Sequence, residues 1–296
     1  MAATIRSNQF ANLSNGTRLH YASAGEKGQP LILFVHGFPE FWYEWEAQLA
    51  EFGADHFAVA PDLRGFNLSD MPTDLGAYKA RHIVDDLRLL AAQLGYEKFV
   101  LVAHDWGGAI AWNLTIAFPQ LLHKLVIINA PHPYLFTKAL ETDPPQQKAS
   151  EYMNWLRGQG SEGALAKDNF ALLEKFFNAM GKSPTPWFTP QVREKYHECW
   201  SRGLTGGVNY YRASPLHPPT AHDEGLLKKM NPEDFRVRVP TRVIWGEQDI
   251  ALLTSQLDGL EEFVDDLKIE RIPEGTHWVV HEQPDRINRL LRSFLE

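Results

Sequence analysis

Short, continuous apolar runs recur along this chain, and stretches with helical patterning lie between them. The runs are Leu31–Val35, Phe57–Ala60, Phe99–Ala103, Leu125–Ile128, Thr241–Trp245 and Leu267–Ile272. A strand that is apolar on both sides of its pleat must be covered on both faces, as in the parallel sheets of α/β proteins. The segments between the runs supply the covers. Ala80–Leu94 sets Ile83, Leu87, Leu90 and Leu94 on one helical face. Ala109–Phe118 reads as a second helix, stopped by Pro119. Arg286–Leu295 reads as an amphipathic C-terminal helix. Ahead of all these, Gln9–Leu13 and Thr17–Ser23 flank Asn15-Gly16, a strong hairpin signal. The expected class is α/β, with a mostly parallel twisted sheet and helices on both of its faces.

One stretch breaks the alternation. From Pro131 to Met230 no clear buried strand occurs. Helix-like blocks (Gln146–Leu156, Ala164–Met180, Gln191–Arg202) are separated by breaker clusters, Ser183-Pro184-Thr185-Pro186 and Ser214-Pro215-Leu216-His217-Pro218-Pro219. This reads as a helical cap, residues 131–230, inserted into one core domain made of residues 1–130 and 231–296. That accounts for a chain of 296 residues, long for one simple domain, without an interdomain linker. The one cysteine, Cys199, rules out an internal disulfide framework.

The strongest local signal is Ala103-His104-Asp105-Trp106-Gly107-Gly108, between an apolar strand and a helix. Small residues flank Asp105 two positions before and two after. That is the spacing of a nucleophile elbow, a turn too tight for bulk at those positions. The competing reading is an ordinary turn with an N-capping Asp. Other strand ends favour the elbow. Val35-His36-Gly37-Phe38-Pro39 follows a buried run, and its Phe38 N–H with the Trp106 N–H would make a two-donor oxyanion hole. Pro39 is a candidate to follow a cis peptide bond. Asp249 comes just after a third strand and His277 just after a fourth. The order nucleophile, acid, histidine is that of one known fold.

With these residues in view, the chain resembles the α/β-hydrolase superfamily, and within it the epoxide hydrolase family, close to haloalkane and fluoroacetate dehalogenases. The resemblance spans nearly the whole chain. It rests on His36-Gly37-Phe38-Pro39-Glu40, His104-Asp105-Trp106-Gly107-Gly108, Asn209-Tyr210-Tyr211-Arg212, Gly246-Glu247-Gln248-Asp249 and Gly275-Thr276-His277-Trp278. It implies Asp105 as nucleophile, His277 as base, Asp249 as the acid that orients the base, and Tyr211 as the cap tyrosine that polarises an epoxide. The family usually adds a second cap tyrosine. In Glu151-Tyr152-Met153-Asn154-Trp155-Leu156 the aligned position is Trp155, with Tyr152 about one turn earlier. Tyr152, Trp155 and Trp106 are therefore the candidate substrate-binding residues.

The residue type of the nucleophile is informative in itself. A carboxylate suits displacement at saturated carbon and leaves an alkyl ester on the protein. Hydrolysis of an epoxide to a vicinal diol is the expectation. An alkoxide leaving group needs a proton, which a tyrosine can donate. A halide needs only N–H donors, so dehalogenation with Trp106 and Trp155 as donors is the alternative. No cation follows the nucleophile at Trp106, Gly107 or Ala109, which disfavours a small anionic haloacid. Non-catalytic ligand binding is the alternative from a different class, but every catalytic position of the motif is intact.

Several other residues have plainer readings. His36 and His104 are expected to brace the oxyanion loop and the elbow. His277 and His281 are four apart, yet no third ligand accompanies them, so no metal is expected, and no cofactor. Asp62 is expected to make local hydrogen bonds, and Cys199, Trp187, Trp200, Phe176 and Phe177 to pack. Glu261, Glu262, Asp265 and Asp266 read as a solvated helix face. The formal net charge of −8 argues against nucleic acid as a partner. The first residues lack a secretory h-region, and no run reaches the length of a membrane span. The expectation is a cytoplasmic protein, monomer or homodimer, acting on a small apolar epoxide.

Overall fold

A computed structural model describes residues 3–181, 185–220 and 223–296. The chain opens with the hairpin β1 (Arg6–Asn12) and β2 (Arg18–Ala24), paired antiparallel. Its turn needs a left-handed residue, and Gly16 supplies it at φ 87°. The elements β3 (Leu31–Val35), α1 (Glu46–Phe52), β4 (Phe57–Pro61), α2 (Ala80–Leu94), β5 (Phe99–His104), α3 (Asp105–Ala117) and β6 (Leu122–Ile128) follow. Then come the helices α4 (Pro133–Thr142), α5 (Pro144–Ala149), α6 (Glu151–Arg157), α7 (Ser161–Ala179), α8 (Pro190–Ser201) and α9 (Thr205–Ala213). The chain closes with β7 (Thr241–Gly246), β8 (Leu267–Ile272), α10 (Val279–Glu282) and α11 (Pro284–Leu295).

The strands form one eight-stranded sheet in the order β1-β2-β4-β3-β5-β6-β7-β8. Strand β2 pairs antiparallel with β4, and every pairing from β4 to β8 is parallel. The inner runs become strands because both sides of their pleat are covered, whereas Leu267–Ile272 forms the edge strand β8, with Lys268 and Arg271 exposed and only Ile272 buried. On one face Leu33, Leu101, Ala103, Leu125, Ile127 and Val243 pack with Leu87 and Leu90 of α2 and Ile110 and Leu114 of α3. On the other, Ile32, Phe34, Val100, Val102, Val126 and Ile244 pack with Leu49 and Phe52 of α1 and Ile287 and Leu291 of α11. This is the expected α/β architecture.

Helices α4–α9 fill the stretch between β6 and β7. The block Gln146–Leu156 is two helices, because Ser150 leaves helical geometry between α5 and α6. Helix α7 is likewise interrupted, at Asp168–Phe170, where φ turns positive. Two helices carried no sequence expectation: α4, which opens on Pro133, and α9, whose first turn holds Gly206 and Gly207. Of the breaker clusters, Ser183 and Pro184 lie outside the described residues. Glu261, Glu262, Asp265 and Asp266 are exposed, but they belong to a short 3-10 turn and its sequel rather than to a helix. Among the described residues no helix is long and apolar enough to cross a membrane.

A buried ion pair ties the hairpin to the helical layer. Arg64 donates to both Asp86 oxygens, at 2.5 and 2.6 Å, and to Thr17 and the Ala77 carbonyl. Asn15 of the hairpin turn donates to the same carboxylate at 2.8 Å. Tyr210 of α9 donates to the Arg64 carbonyl at 3.0 Å, so this junction also seats the helix that carries Tyr211. Removing one partner leaves a buried charge uncompensated. Asp86→Ala is therefore expected to lower stability by about 3–5 kcal/mol, read from urea unfolding.

Candidate active site

The chemistry-bearing residues gather at the carboxyl ends of the parallel strands, where α/β sheets open a crevice. At the end of β5 the chain turns into α3 at Asp105, with φ 49°. A non-glycine residue in the left-handed region is strained and needs close support. That support excludes side chains. A Cβ on Gly107 would lie 2.3 Å from the Val35 carbonyl oxygen, and one on Gly108 would lie 2.3 Å from the Ala130 Cβ. A Cβ on Gly37 would lie 2.4 Å from the Asp105 side chain. The glycines thus let the loop after β3 sit directly on the elbow.

That loop presents the Phe38 N–H, which donates to Asp105 Oδ1 at 2.8 Å. The Phe38–Pro39 peptide is cis, as expected. The Trp106 amide lies in the first turn of α3, where amides have no intrahelical partner. His36 braces the loop: its Nδ1–H donates to the Gly37 carbonyl, and its Nε2 accepts from the Leu63 N–H at 3.0 Å. Burial pushes the His36 imidazole below its ordinary pKa, against the pull of nearby carboxylates, which suits an accepting nitrogen.

His277 stands beyond the other Asp105 oxygen, its Nε2 3.7 Å from Oδ2. Its Nδ1 meets Asp249 Oδ2 at 2.7 Å. Asp249 is buried, and burial alone would raise its pKa; His277 and hydrogen bonds from Leu252 N–H and Asn129 outweigh that and hold it low. The Ala251 and Leu252 amides each donate to Oδ1 at 2.9 Å. Asn129, at the end of β6, donates to Asp249 Oδ2 at 2.8 Å and receives the Gly246 N–H at 2.8 Å. The sequence reading missed Asn129. Its only signal is its place just after an apolar strand.

Across from Asp105 stand two tyrosines. Tyr211 of α9 is buried, its ring edge-on to Trp106 at 5.0 Å and to Phe38 at 5.4 Å. Tyr152 of α6 lies 6.2 Å from it, ring to ring. Burial pushes both hydroxyls well above the ordinary tyrosine range. Asp105 adds to this for both, with Asp249 at Tyr152 and Tyr152 itself at Tyr211; a hydrogen bond from Trp106 opposes it at Tyr211. Both therefore stay protonated and able to donate near neutral pH.

Trp155, expected among the substrate-binding residues, is a correction. It is 43% exposed and lines none of the cavities around Asp105. At 3.6 residues per turn, Leu156 and Met153 lie about 40° and 100° to one side of Tyr152, and both are buried. Trp155 lies about 60° to the other side, facing solvent. The two indoles that a halide site would need do not meet. His277 and His281 do not converge either, since His281 Nε2 turns to Glu40 at 2.5 Å.

Three cavities run through the centre. One of about 210 Å³ lies over Asp105 and His277, against Phe176, Met180, Ile250 and Trp278. A narrow one of about 50 Å³ shares Asp105, Tyr152 and Tyr211 with it. Trp106, Asn113 and Leu216 form a wall shared by this narrow cavity and a third one of about 600 Å³. Phe176, for which packing was preferred to a place in the pocket wall, lines the first cavity with Met180, four residues on, a helical spacing that was available as a signal. Phe177, Trp200 and Cys199 are buried in the packing as expected; Asp62 makes one local bond, from Asn67, and also binds His20 and the Trp42 N–H, which are distant in the chain.

Comparison with known proteins agrees with this geometry. A family model described as alpha/beta hydrolase fold matches residues 30–284. "Epoxide hydrolase 4" of Mus musculus is 34% identical over 290 residues, covering 95% of this chain and 77% of that protein. The chain belongs to the epoxide hydrolase family. The family includes the epoxide hydrolase of Bacillus megaterium, whose crystal structure with an inhibitor superposes with a TM-score of 0.86 at 35% identity, covering 97% of this chain and 99% of that one. "AB hydrolase superfamily protein YfhM" of Bacillus subtilis (strain 168) is 36% identical and covers 97% of each chain.

For this epoxide hydrolase family member the depressed Asp249 carboxyl has a measurable consequence. Its contribution to stability is present above the ordinary carboxylate range and is lost as the pH falls through its lowered value. Urea midpoints of the wild type and of Asp249→Asn are expected to differ most near neutral pH and to converge below about pH 4.

Proposed function

We propose that this chain hydrolyses an epoxide to a vicinal diol through an ester on Asp105. One observation carries the reading: a carboxylate at the elbow lies between a histidine on one side and two protonated tyrosines on the other. Asp105 Oδ2 attacks a ring carbon, and the carbon–oxygen bond of the epoxide breaks. Tyr211, with Tyr152, hydrogen-bonds the ring oxygen and gives it a proton. Asp105 Oδ1 already receives the Phe38 N–H and becomes the carbonyl oxygen of the ester.

The second step uses the other wall. His277 Nε2 takes a proton from water, and the hydroxide attacks the ester carbonyl carbon. The negative charge that forms on Oδ1 lies where Phe38 N–H and Trp106 N–H are available. Collapse breaks the bond from the ester carbon to Oδ2, the imidazolium gives its proton to the departing alkoxide, and the second proton of the water restores the tyrosine; the diol leaves with Oδ2 and Asp105 keeps one oxygen from water. Asp249 fixes the His277 tautomer and stabilises the imidazolium. Residues 1–130 and 231–296 form the catalytic core in this reading, and residues 131–230 form the cap that delivers Tyr152 and Tyr211. The apolar cavities on both sides of Asp105 fit an uncharged epoxide with substituents in both directions.

Incubating His277→Gln with an epoxide and weighing the intact protein tests the reading. An adduct of the epoxide mass on Asp105 is expected. An adduct formed only from haloalkanes would overturn it. Tyr211→Phe is expected to slow adduct formation by about 10²–10⁴-fold in single-turnover measurements. Leu216→Trp, in the wall shared by two cavities, is expected to lower kcat/KM roughly tenfold or more for epoxides with a long substituent and to spare short ones.

A further inference from the structure

Behind the site lies a second set of ionisable groups that the reaction above does not use. Glu44 stands in a 3-10 turn, Trp42–Trp45, shortly after the oxyanion loop. Its carboxyl is fully buried and meets His104 Nδ1 at 2.6 Å through Oε1. Its other oxygen, Oε2, receives the Gly37 N–H at 3.4 Å. His104 Nε2 lies 2.9 Å from the main-chain carbonyl of His277. A carbonyl only accepts, so Nε2 carries the hydrogen and donates. Nδ1 and Glu44 Oε1 face each other as a buried ion pair.

Glu40 completes the cluster. Its Oε2 is 3.6 Å from His104 Nδ1, and its Oε1 receives Tyr196 Oη at 2.8 Å and His281 Nε2 at 2.5 Å. Two carboxyls in an interior without solvent are tolerated only when paired and hydrogen-bonded. Burial pulls the His104 pKa down, but Glu44 and Glu40 outweigh it and hold it well above its ordinary value, while burial and the Glu40 charge push the Glu44 carboxyl up in turn. The imidazole therefore stays a strong donor toward the His277 carbonyl.

The geometry points to Glu44 as a positioning residue for hydrolysis of the ester. It links the base, which only this step needs, with the oxyanion loop, which must here stabilise a full negative charge and in ester formation only holds Asp105 Oδ1. Through His104 it fixes the main chain of the base, and through Gly37 it fixes the loop that carries the Phe38 N–H. On the opposite side, Glu282 receives the Thr276 N–H and hydroxyl at 2.9 and 2.7 Å, so the base loop is clamped between two carboxylates. Asp105 and the tyrosines make no direct contact with Glu44, so attack on the epoxide depends on it only through the Phe38 N–H that holds Asp105 Oδ1. This inference rests on the ester mechanism proposed above.

The test separates the two half-reactions. In Glu44→Met both links are gone. A small misplacement of a catalytic group costs up to about 100-fold, so ester hydrolysis is expected to slow by roughly 10–100-fold. Ester formation is expected to slow far less. In steady state kcat and KM then fall together and kcat/KM falls far less than kcat, while ester-bound protein dominates the intact mass during turnover. Glu44→Gln can still receive the Gly37 N–H and donate to a neutral His104, and is expected to restore most of the hydrolysis rate. If Glu44→Met does not fold, Glu44→Met with His104→Leu replaces both partners by apolar groups, which is far better tolerated; the same split is expected. A fall in kcat/KM matching that in kcat, unchanged hydrolysis, or a Gln variant as slow as Met would each overturn the inference. Failure of the wild type or of His277→Gln to form any ester would instead overturn the underlying mechanism.

Discussion

Asp105 takes a left-handed backbone because the chain must pass from β5 into α3 without an intervening loop. The strained turn is held by contact, with α3 lying so close to β3 that Gly107 meets the Val35 and His36 carbonyls. This proximity brings the Phe38 N–H onto one oxygen of Asp105 and leaves the other facing His277. The distinct environments of the two oxygens underlie the two-step chemistry. One oxygen is placed to bear charge, and the other is placed to make and break a bond to carbon.

Burying so much ionisable chemistry in an apolar sheet requires every charge to be matched. Asp249 is surrounded by His277, Asn129 and two amides. Asp86 is held by Arg64 and Asn15. Glu40 and Glu44 gather around His104 and its neighbours. Each cluster also joins elements far apart in sequence, so the groups that neutralise charge also set geometry. Cap and core are joined in the same way, by Tyr210 on Arg64, Trp200 on Pro39 and Tyr196 on Glu40.

The strands, the hairpin and the core helices α2, α3 and α11 were legible because each depends on local patterning, whereas the short helices α1 and α10 were not. A doubly covered strand is apolar throughout, and a one-sided helix repeats at 3.6 residues. Asp105, Asp249 and His277 were legible because each follows a strand and because a tight elbow needs small neighbours. The cap was less legible. Its helices pack on one another and on aromatic neighbours, so α5 and α6 read as one block and α9 did not show. Trp155 aligned with a family tyrosine position, but the rotation of α6 turns it to solvent and gives Tyr152 the inward face. Asn129, Glu44 and the partners of His104 left no trace in spacing, because each acts on groups distant in the chain.

Residue type and short-range spacing sufficed for the class of fold, the identity of the reacting carboxylate and the order of its partners. That Tyr152 and not Trp155 joins Tyr211 at Asp105, which oxygen meets the amide and which meets the base, and what holds the base from behind emerged from packing alone. Those are matters of distance and direction between elements brought together by the sheet and the cap, and local pattern carries no record of them.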